Sequence, residues 1–193
     1  PLLLILGTLS FWLREAGIDR STIGYLTWVG LIYAFKWMWA PLVDRLSIPV
    51  LSRLFGRRRS WLLFAQLLII LGLIGMASID PKVQLTPIVW CALLVAFGSA
   101  TQDIALDAFR IESADSDHQA ALAATYQTGY RLALIWSGAG VLWLAARAEA
   151  GVAGYDPAAW QFAYLCMALS IGVGVVTTLF SKEPVRIELA KAR

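Results

Sequence analysis

Long apolar runs constrain the fold of this chain more than any other feature. Five of them lie at residues 22–43, 61–79, 86–110, 120–146 and 160–180. A helix of about 20 residues crosses the roughly 30 Å of hydrocarbon in a bilayer. Because lipid offers no partners for backbone polar groups, membrane-spanning runs of this length fold as helices. The sequence therefore predicts an all-α membrane protein.

The first apolar run, residues 1–13, is too short to cross a bilayer, and the chain opens on Pro1 instead of Met. No basic segment precedes this run, so it does not have the pattern of a signal peptide. We therefore expect a truncated first helix. Together with the five longer runs it predicts a six-helix transmembrane bundle over residues 1–180.

Composition excludes several classes of protein. Hydrophobic residues make up 59% of the chain and charged residues only 15%, whereas soluble domains contain about 25% charged residues. The net charge of +3 is too small, and too scattered, for a nucleic-acid-binding face. Cys91 and Cys166 lie inside apolar runs, which excludes a secreted disulfide scaffold. We expect no nucleic-acid partner, no cofactor and no bound metal.

The Lys and Arg residues between the spans are distributed unequally. Ten of them lie between spans 2 and 3, at the end of span 4 or after span 6, and four lie in the remaining loops. Cytoplasmic segments of membrane proteins carry the excess of Lys and Arg. We therefore expect the N-terminus and the arginine-rich loop between spans 2 and 3 on the cytoplasmic side.

Four charged residues lie inside the predicted spans, at mid-depth or in the cytoplasmic half: Lys36, Asp103, Asp107 and Arg131. A charge at the centre of a bilayer costs at least about 2.5 kcal/mol, so these side chains are expected to face the bundle interior, to pair or to line a wet cavity. Asp103 and Asp107 share one face of span 4 at a spacing of i and i+4. We therefore predict an ion-pair cluster among spans 2, 4 and 5.

Each intramembrane charge also has a structural interpretation. Lys36 is close enough to the cytoplasmic end of its span to extend to the headgroups. Asp107 can be a helix-end residue bound to Arg110 or to the basic loop, and Asp103 can form a purely structural ion pair. Arg131 is harder to accommodate in this way, and its guanidinium suits forked contact with a carboxylate or a phosphate.

The loop between spans 2 and 3 carries a motif. Asp44 and Arg45 end span 2, and Gly56 is followed at once by three arginines, Arg57, Arg58 and Arg59. This pattern resembles the cytoplasmic loop between helices 2 and 3 of the major facilitator superfamily. An insertion separates Asp44 from the arginines, which is similar to the AmpG-type anhydromuropeptide permeases. Further stretches also resemble that family: Ile23–Tyr25, Phe35–Arg45, Phe55–Leu63, Ala100–Ala108 and Gly129–Arg131.

The resemblance implies a twelve-helix transporter of which this chain is the N-terminal six-helix half, with residues 181–193 as the start of the cytoplasmic linker to a missing C-terminal half. An AmpG-like protein would import anhydromuropeptides from periplasm to cytoplasm for cell-wall recycling, driven by protons across the inner membrane. The stretch Gln102–Asp107 also resembles the acetyl-CoA transporter family. Acetyl-CoA or another organic anion is therefore the alternative substrate.

The resemblance also implies roles for the polar residues. Muropeptides carry free carboxylates, so the substrate-binding candidates are cations, aromatic rings and amides: Arg131, Lys36, Tyr130, Tyr126, Gln127 and Gln102. Asp103 is the first candidate for proton coupling, and Asp107 is the second. The candidates for a cytoplasmic gate are Asp44, Arg45, Gly56, Arg57, Arg58 and Arg59, although these arginines can also serve only to orient insertion.

Two other classes of function stay open on the residues alone. A membrane-embedded enzyme could use Asp103 and Asp107 for acid–base chemistry, and a sensor or assembly subunit would need no cation at mid-depth. No His cluster, nucleophile motif or phosphate-binding loop accompanies the two aspartates. We therefore expect a carrier with no catalytic residues, not an enzyme.

Overall fold

The computed structural model describes residues 1–113, 115–149, 151 and 154–184. No β-strand forms in this part of the chain, which confirms the all-α prediction. Most of the predicted linker, residues 185–193, lies outside the described residues. The α-helices are, in chain order, α1 (Leu9–Glu15), α2 (Arg20–Leu26), α3 (Leu31–Ala34), α4 (Ala40–Arg45), α5 (Leu51–Phe55), α6 (Arg57–Ala77), α7 (Leu85–Ser113), α8 (Gln119–Ile135), α9 (Val141–Ala148) and α10 (Pro157–Phe180).

Within the described residues, three helices are long and apolar enough to cross a membrane: α6, α7 and α10. They correspond to predicted spans 3, 4 and 6. Their ends differ from the predicted ones by a few residues, and the largest difference is that α6 begins at Arg57 and not near Trp61. The three arginines of the motif therefore belong to the first turn of a helix instead of a loop, and their side chains leave the helix in fixed directions.

Predicted span 2 is not one continuous helix. The helices α2, α3 and α4 are separated by tighter 3-10 segments at Thr27–Gly30 and Lys36–Met38. Pro41 explains the second interruption, because proline has no N–H group and its ring clashes with the carbonyl four residues earlier. The helix therefore restarts as α4 with Pro41 in its first turn, and Lys36 lies at the break.

Predicted spans 1 and 5 contain π-helical segments, at Leu4–Thr8 and Trp136–Gly140. A π-helix shifts hydrogen bonding to residue i+5 and is often found at functional positions. Two long-range hydrogen bonds hold these segments. The Thr8 hydroxyl donates to the Ser137 carbonyl at 2.8 Å, and the Tyr164 hydroxyl of α10 donates to the Leu4 carbonyl at 3.0 Å. The two irregular segments therefore pack together and against α10.

The core lies where α7 and α10 pack on either side of α6. Glycines set the distance between α6 and α7. A Cβ atom at Gly72 would lie 2.4 Å from Val95 Cγ2, and one at Gly98 would lie 3.1 Å from the Ala65 carbonyl oxygen. Small residues let helix backbones approach closely where lipid supplies no hydrophobic drive for association, and α6 and α7 pack in this way.

Aromatic rings and carboxylates tie together the end of the fold opposite the arginine motif. Trp12 Nε1 donates to the Tyr155 hydroxyl at 3.1 Å, which donates to Asp80 Oδ1 at 2.8 Å. The Trp12 and Trp160 rings stack at 6.0 Å, and Trp160 Nε1 donates to Glu15 at 2.9 Å. Burial raises the pKa of the Tyr155 hydroxyl, so it remains a hydrogen-bond donor at neutral pH.

Candidate functional site

A cavity of about 190 Å³ lies between α3, α7, α8 and the first residues of the chain. Its polar lining comes from Tyr33 of α3, Ser99 and Asp103 of α7, Tyr130 of α8 and Ser137 of the π-helical segment that follows. The Tyr33 hydroxyl donates a hydrogen bond to Ser99 Oγ. Sites that enclose a whole drug-sized ligand measure about 300–1,000 Å³, so this cavity has room for one part of a larger solute.

Asp103 supplies the carboxylate of this cavity. It is half-buried and forms no hydrogen bond or ion pair with another described residue. Lys36 and Asp107 act on it electrostatically from a longer distance. A carboxylate in this position can exchange a proton with water in the cavity without first breaking an ion pair. This is the chemistry that proton coupling requires.

The predicted ion-pair cluster among spans 2, 4 and 5 does not form. Within the described residues no ion pair joins Lys36, Asp103 and Arg131. The break in predicted span 2 places Lys36 in a 3-10 turn, where it interacts with Asp103 without direct contact. Arg131 is exposed and has no hydrogen-bond or ion-pair partner among the described residues.

The residues that were predicted to act with Arg131 lie on α8. Tyr130 lines the cavity with part of its side chain exposed, Tyr126 is half-buried, and Gln127 and Arg131 are exposed. Successive helical residues are about 100° apart, so the four residues fall within an arc of about 140° on one side of the helix. That they act together on a substrate stays a prediction.

Asp107 lies one turn beyond Asp103 on α7. Its carboxylate is 3.7 Å from Nη2 of Arg110. This is the helix-end contact that the sequence offered as the structural interpretation of Asp107. The Arg110 guanidinium lies over the Tyr126 ring, 5.2 Å from its centroid. Gln102, also on α7, has a buried amide oxygen without a hydrogen-bond partner among the described residues.

The arginine motif forms a compact charge cluster at the start of α6. Arg58 is almost fully buried, and its Nη1 donates to Asp44 at 2.7 Å. Its Nη2 donates to Glu112 of α7 at 2.6 Å, and its Nε donates to the same carboxylate at 3.1 Å. Arg57 contacts Glu112 at 3.5 Å and donates to the Asp44 backbone carbonyl. The cluster joins α4, α6 and α7.

A carboxylate from beyond α10 caps the same helix. The Glu183 side chain accepts hydrogen bonds from the backbone N–H groups of Arg58 at 2.7 Å and Arg59 at 3.2 Å. Arg59 in turn donates to the carbonyl oxygens of Thr178, at 2.8 Å, and Leu179 near the end of α10. Free N–H groups at a helix start attract carboxylates, and free carbonyls at a helix end attract cations. These contacts hold the start of α6 against the end of α10.

Glu112 and Glu183 were not identified from the sequence, although both lie on the predicted side of the arginines. The positive-inside rule counts Lys and Arg and gives acidic residues little weight, so it does not single out these two glutamates. A buried arginine needs a carboxylate partner, and this requirement is the signal that points to Glu112 and Glu183. Arg45, by contrast, is exposed and makes no contact with another described residue that would place it in the cluster.

Replacing Gly56 with Ala is expected to destabilise the protein by about 1 to 3 kcal/mol, because φ of +87° with ψ of 169° is accessible essentially to glycine alone. A Cβ atom there would also lie 2.5 Å from the Glu183 carboxyl carbon. Thermal unfolding of the full-length protein measures the loss. Gly24→Ala is the control, since it has ordinary helical φ and open space around it. Equal midpoints for the two variants would contradict the prediction.

Residues 1–145 match the family model described as "Acetyl-coenzyme A transporter 1". The chain is 39% identical over 188 residues to "Putative transporter AmpG 4" of Rickettsia felis, covering 96% of this chain and 43% of that protein. It is 38% identical over 184 residues to "Anhydromuropeptide permease" of Escherichia coli K12, covering 95% of this chain and 35% of that protein. No solved structure matches.

These relatives are named as transporters and permeases, not as enzymes, which confirms the resemblance and the expectation of a carrier family. The chain spans less than half the length of each of these two relatives. The match to the family model covers most of the chain, including α7 with Asp103 and the arginine motif. The chain belongs to the acetyl-coenzyme A transporter 1 family, and the relatives that it resembles are AmpG-type transporters.

Proposed function

We propose that this chain is the N-terminal half of a proton-coupled transporter of the major facilitator superfamily that imports anhydromuropeptides across a bacterial inner membrane. The observation that carries the proposal is the 38% identity, over 95% of this chain, to a protein named anhydromuropeptide permease. Such a transporter contains twelve helices in two halves, of which this chain supplies six.

The exposed surface of α8 supports a second half. No residue of α8 is buried among the described residues, although the helix is rich in apolar side chains. Such a surface is expected to be covered, either by lipid or by further helices. Arg131 and Gln127 are polar and lie on this exposed surface, where lipid is a poor environment for them. We place them at the interface between the two halves, where substrate sites of secondary transporters lie.

In this mechanism Asp103 accepts a proton while its cavity is open to the periplasm. Neutralising Asp103 releases Lys36 from its long-range attraction, so that Lys36 and Arg131 can meet the substrate carboxylates. Tyr130 and the Tyr33–Ser99 pair offer hydrogen bonds and an aromatic surface to a sugar ring. When the cavity opens to the cytoplasm, Asp103 loses the proton and the substrate is released.

The charge cluster at the start of α6 is the cytoplasmic gate of the proposal. Its buried ion pairs join α4, α6 and α7, and Glu183 ties the segment after α10 to the same point. Packed charge networks of this kind have discrete arrangements and do not deform continuously. The cluster would hold the cytoplasmic end closed while the periplasmic end is open, with the N-terminus in the cytoplasm.

Acetyl-CoA transport is the second candidate function, and the family model matched by residues 1–145 favours it. Both candidates are organic anions, and the cationic residues described above would suit either. They differ in chemical structure, because one is a sugar with a peptide that carries carboxylates and the other is a thioester chain on a nucleotide that carries phosphates.

Uptake by the full-length protein in proteoliposomes distinguishes the two. With an imposed proton gradient, labelled anhydromuropeptide is expected to accumulate, and excess unlabelled muropeptide should abolish the signal while excess acetyl-CoA should not. Accumulation of labelled acetyl-CoA instead would replace the proposal with its alternative. Liposomes without the protein, and liposomes in which an ionophore collapses the gradient, serve as controls.

A further inference from the structure

We infer that Arg110 is a second anion-binding point on the transport path and receives the carboxylate end of a solute whose uncharged part occupies the Asp103 cavity. The inference rests on the proposed transport function and adds a residue that the sequence considered only as a helix-end partner of Asp107. It depends on three features of Arg110: an incomplete set of hydrogen bonds, a loose ion pair and an aromatic support.

The guanidinium of Arg110 has unused donors. Its Nε is buried and has no acceptor among the described residues, and its Nη2 meets Asp107 only at 3.7 Å. Arg58 in the same fold has a guanidinium whose donors are paired, since its Nε and Nη2 donate hydrogen bonds to the two oxygens of Glu112 at 2.6 to 3.2 Å. The Nε of Arg110 is unpaired but buried, so the Nη donors, which have only the longer contact with Asp107, are the ones that a carboxylate can reach.

The surroundings of Arg110 orient it without neutralising it. The guanidinium lies over the Tyr126 ring at 5.2 Å, which fixes its plane while leaving the N–H donors at its edge free. The side chains of Arg110 and Asp107 are 26% and 45% exposed, so a solute can reach both. An incoming carboxylate would bind the Nη donors and displace Asp107 from its longer contact.

The position of Arg110 suits a solute with two chemically different ends. Asp103, Asp107 and Arg110 follow each other at i, i+4 and i+7 on one face of α7, which separates the first and last Cα atoms by about 10 Å. The Asp103 cavity holds only part of a solute, and its lining offers hydroxyls and an aromatic ring. The geometry points to an elongated ligand with a neutral polar ring at one end and a carboxylate about 10 Å away.

Equilibrium binding to the full-length protein, without a proton gradient, tests this inference. The probes are an anhydromuramyl tripeptide with free carboxylates and the same compound with carboxamides in their place. Wild-type protein is expected to prefer the carboxylate form by more than about tenfold, because each charged hydrogen-bonding contact contributes about that factor and Lys36 and Arg131 contribute beside Arg110. Arg110→Gln should lower this ratio about tenfold without weakening the amide form, because only the carboxylate uses the guanidinium.

Asp107→Asn should act in the opposite direction and tighten binding of the carboxylate form, since it removes the internal competitor for Arg110. Arg147→Gln is the matched control, because Arg147 also lies over an aromatic ring, that of Trp143 at 5.3 Å, but is remote from Asp103 in the sequence and on another helix. A ratio that Arg110→Gln leaves unchanged, or equal weakening of both probes, would overturn the inference. Failure of the wild type to bind either probe would instead overturn the proposed function.

Discussion

Asp103→Asn is expected to abolish accumulation of substrate against its gradient while exchange of substrate across the membrane continues. The amide keeps the size and hydrogen-bonding capacity of the carboxyl group but cannot take up a proton. Since Asp103 has no ion-pair partner among the described residues, the substitution leaves no other charge stranded. The helix packing should therefore survive, and only the link between proton movement and substrate movement should be lost.

The measurement compares two assays on the same proteoliposomes. Gradient-driven uptake should fall until the internal concentration no longer exceeds the external one, while counterflow between equal pools of labelled and unlabelled substrate should proceed at a rate near that of the wild type. Asp115→Asn is the matched control, because Asp115 is exposed outside α7. Accumulation that persists in Asp103→Asn would transfer the coupling role to another group, with Asp107 as the next to be tested.

The second large effect is expected at Arg58, where substitution by Met should destabilise the full-length protein by about 3 kcal/mol. The guanidinium is almost fully buried and binds both Asp44 and Glu112. Removing one member of a buried ion pair leaves uncompensated charge, at a cost of about 3 to 5 kcal/mol. The partners are partly exposed, which places the effect at the lower end of this range. Thermal unfolding in detergent, followed by tryptophan fluorescence, measures it.

Arg45→Met separates the two roles considered for the arginines. Arg45 and Arg58 lie on the same predicted side of the membrane, and each substitution removes one positive charge from it. If the arginines only orient insertion, the two variants should behave alike. We expect Arg45→Met to retain wild-type stability, because Arg45 is exposed. Adding Glu112→Leu to Arg58→Met should restore part of the stability, since it removes one of the two stranded carboxylates. A double variant no more stable than Arg58→Met would contradict this account.

The sequence by itself determined the class of the fold and the family. Apolar runs of membrane-spanning length do not require knowledge of neighbouring segments, because the bilayer forces each run to satisfy its own backbone. The arginine motif and the stretch around Asp103 indicated the family in the same local way. The rarity of charge in apolar segments selected Asp103, and the structure places it in a cavity with Tyr33, Ser99 and Tyr130.

Only the tertiary structure decided which partners these residues have. Tyr130 and Arg131 are neighbours in sequence, yet of the two Tyr130 alone lines the cavity, because the orientation of α8 about its axis depends on the helices beside it. The loosely paired guanidinium of Arg110 and the long-range hydrogen bonds that Arg58 donates to Glu112 and Glu183 likewise depend on packing between distant segments. Local rules act within one helical turn, whereas these contacts join residues 54 and 125 positions apart, and only the folded arrangement brings such residues together.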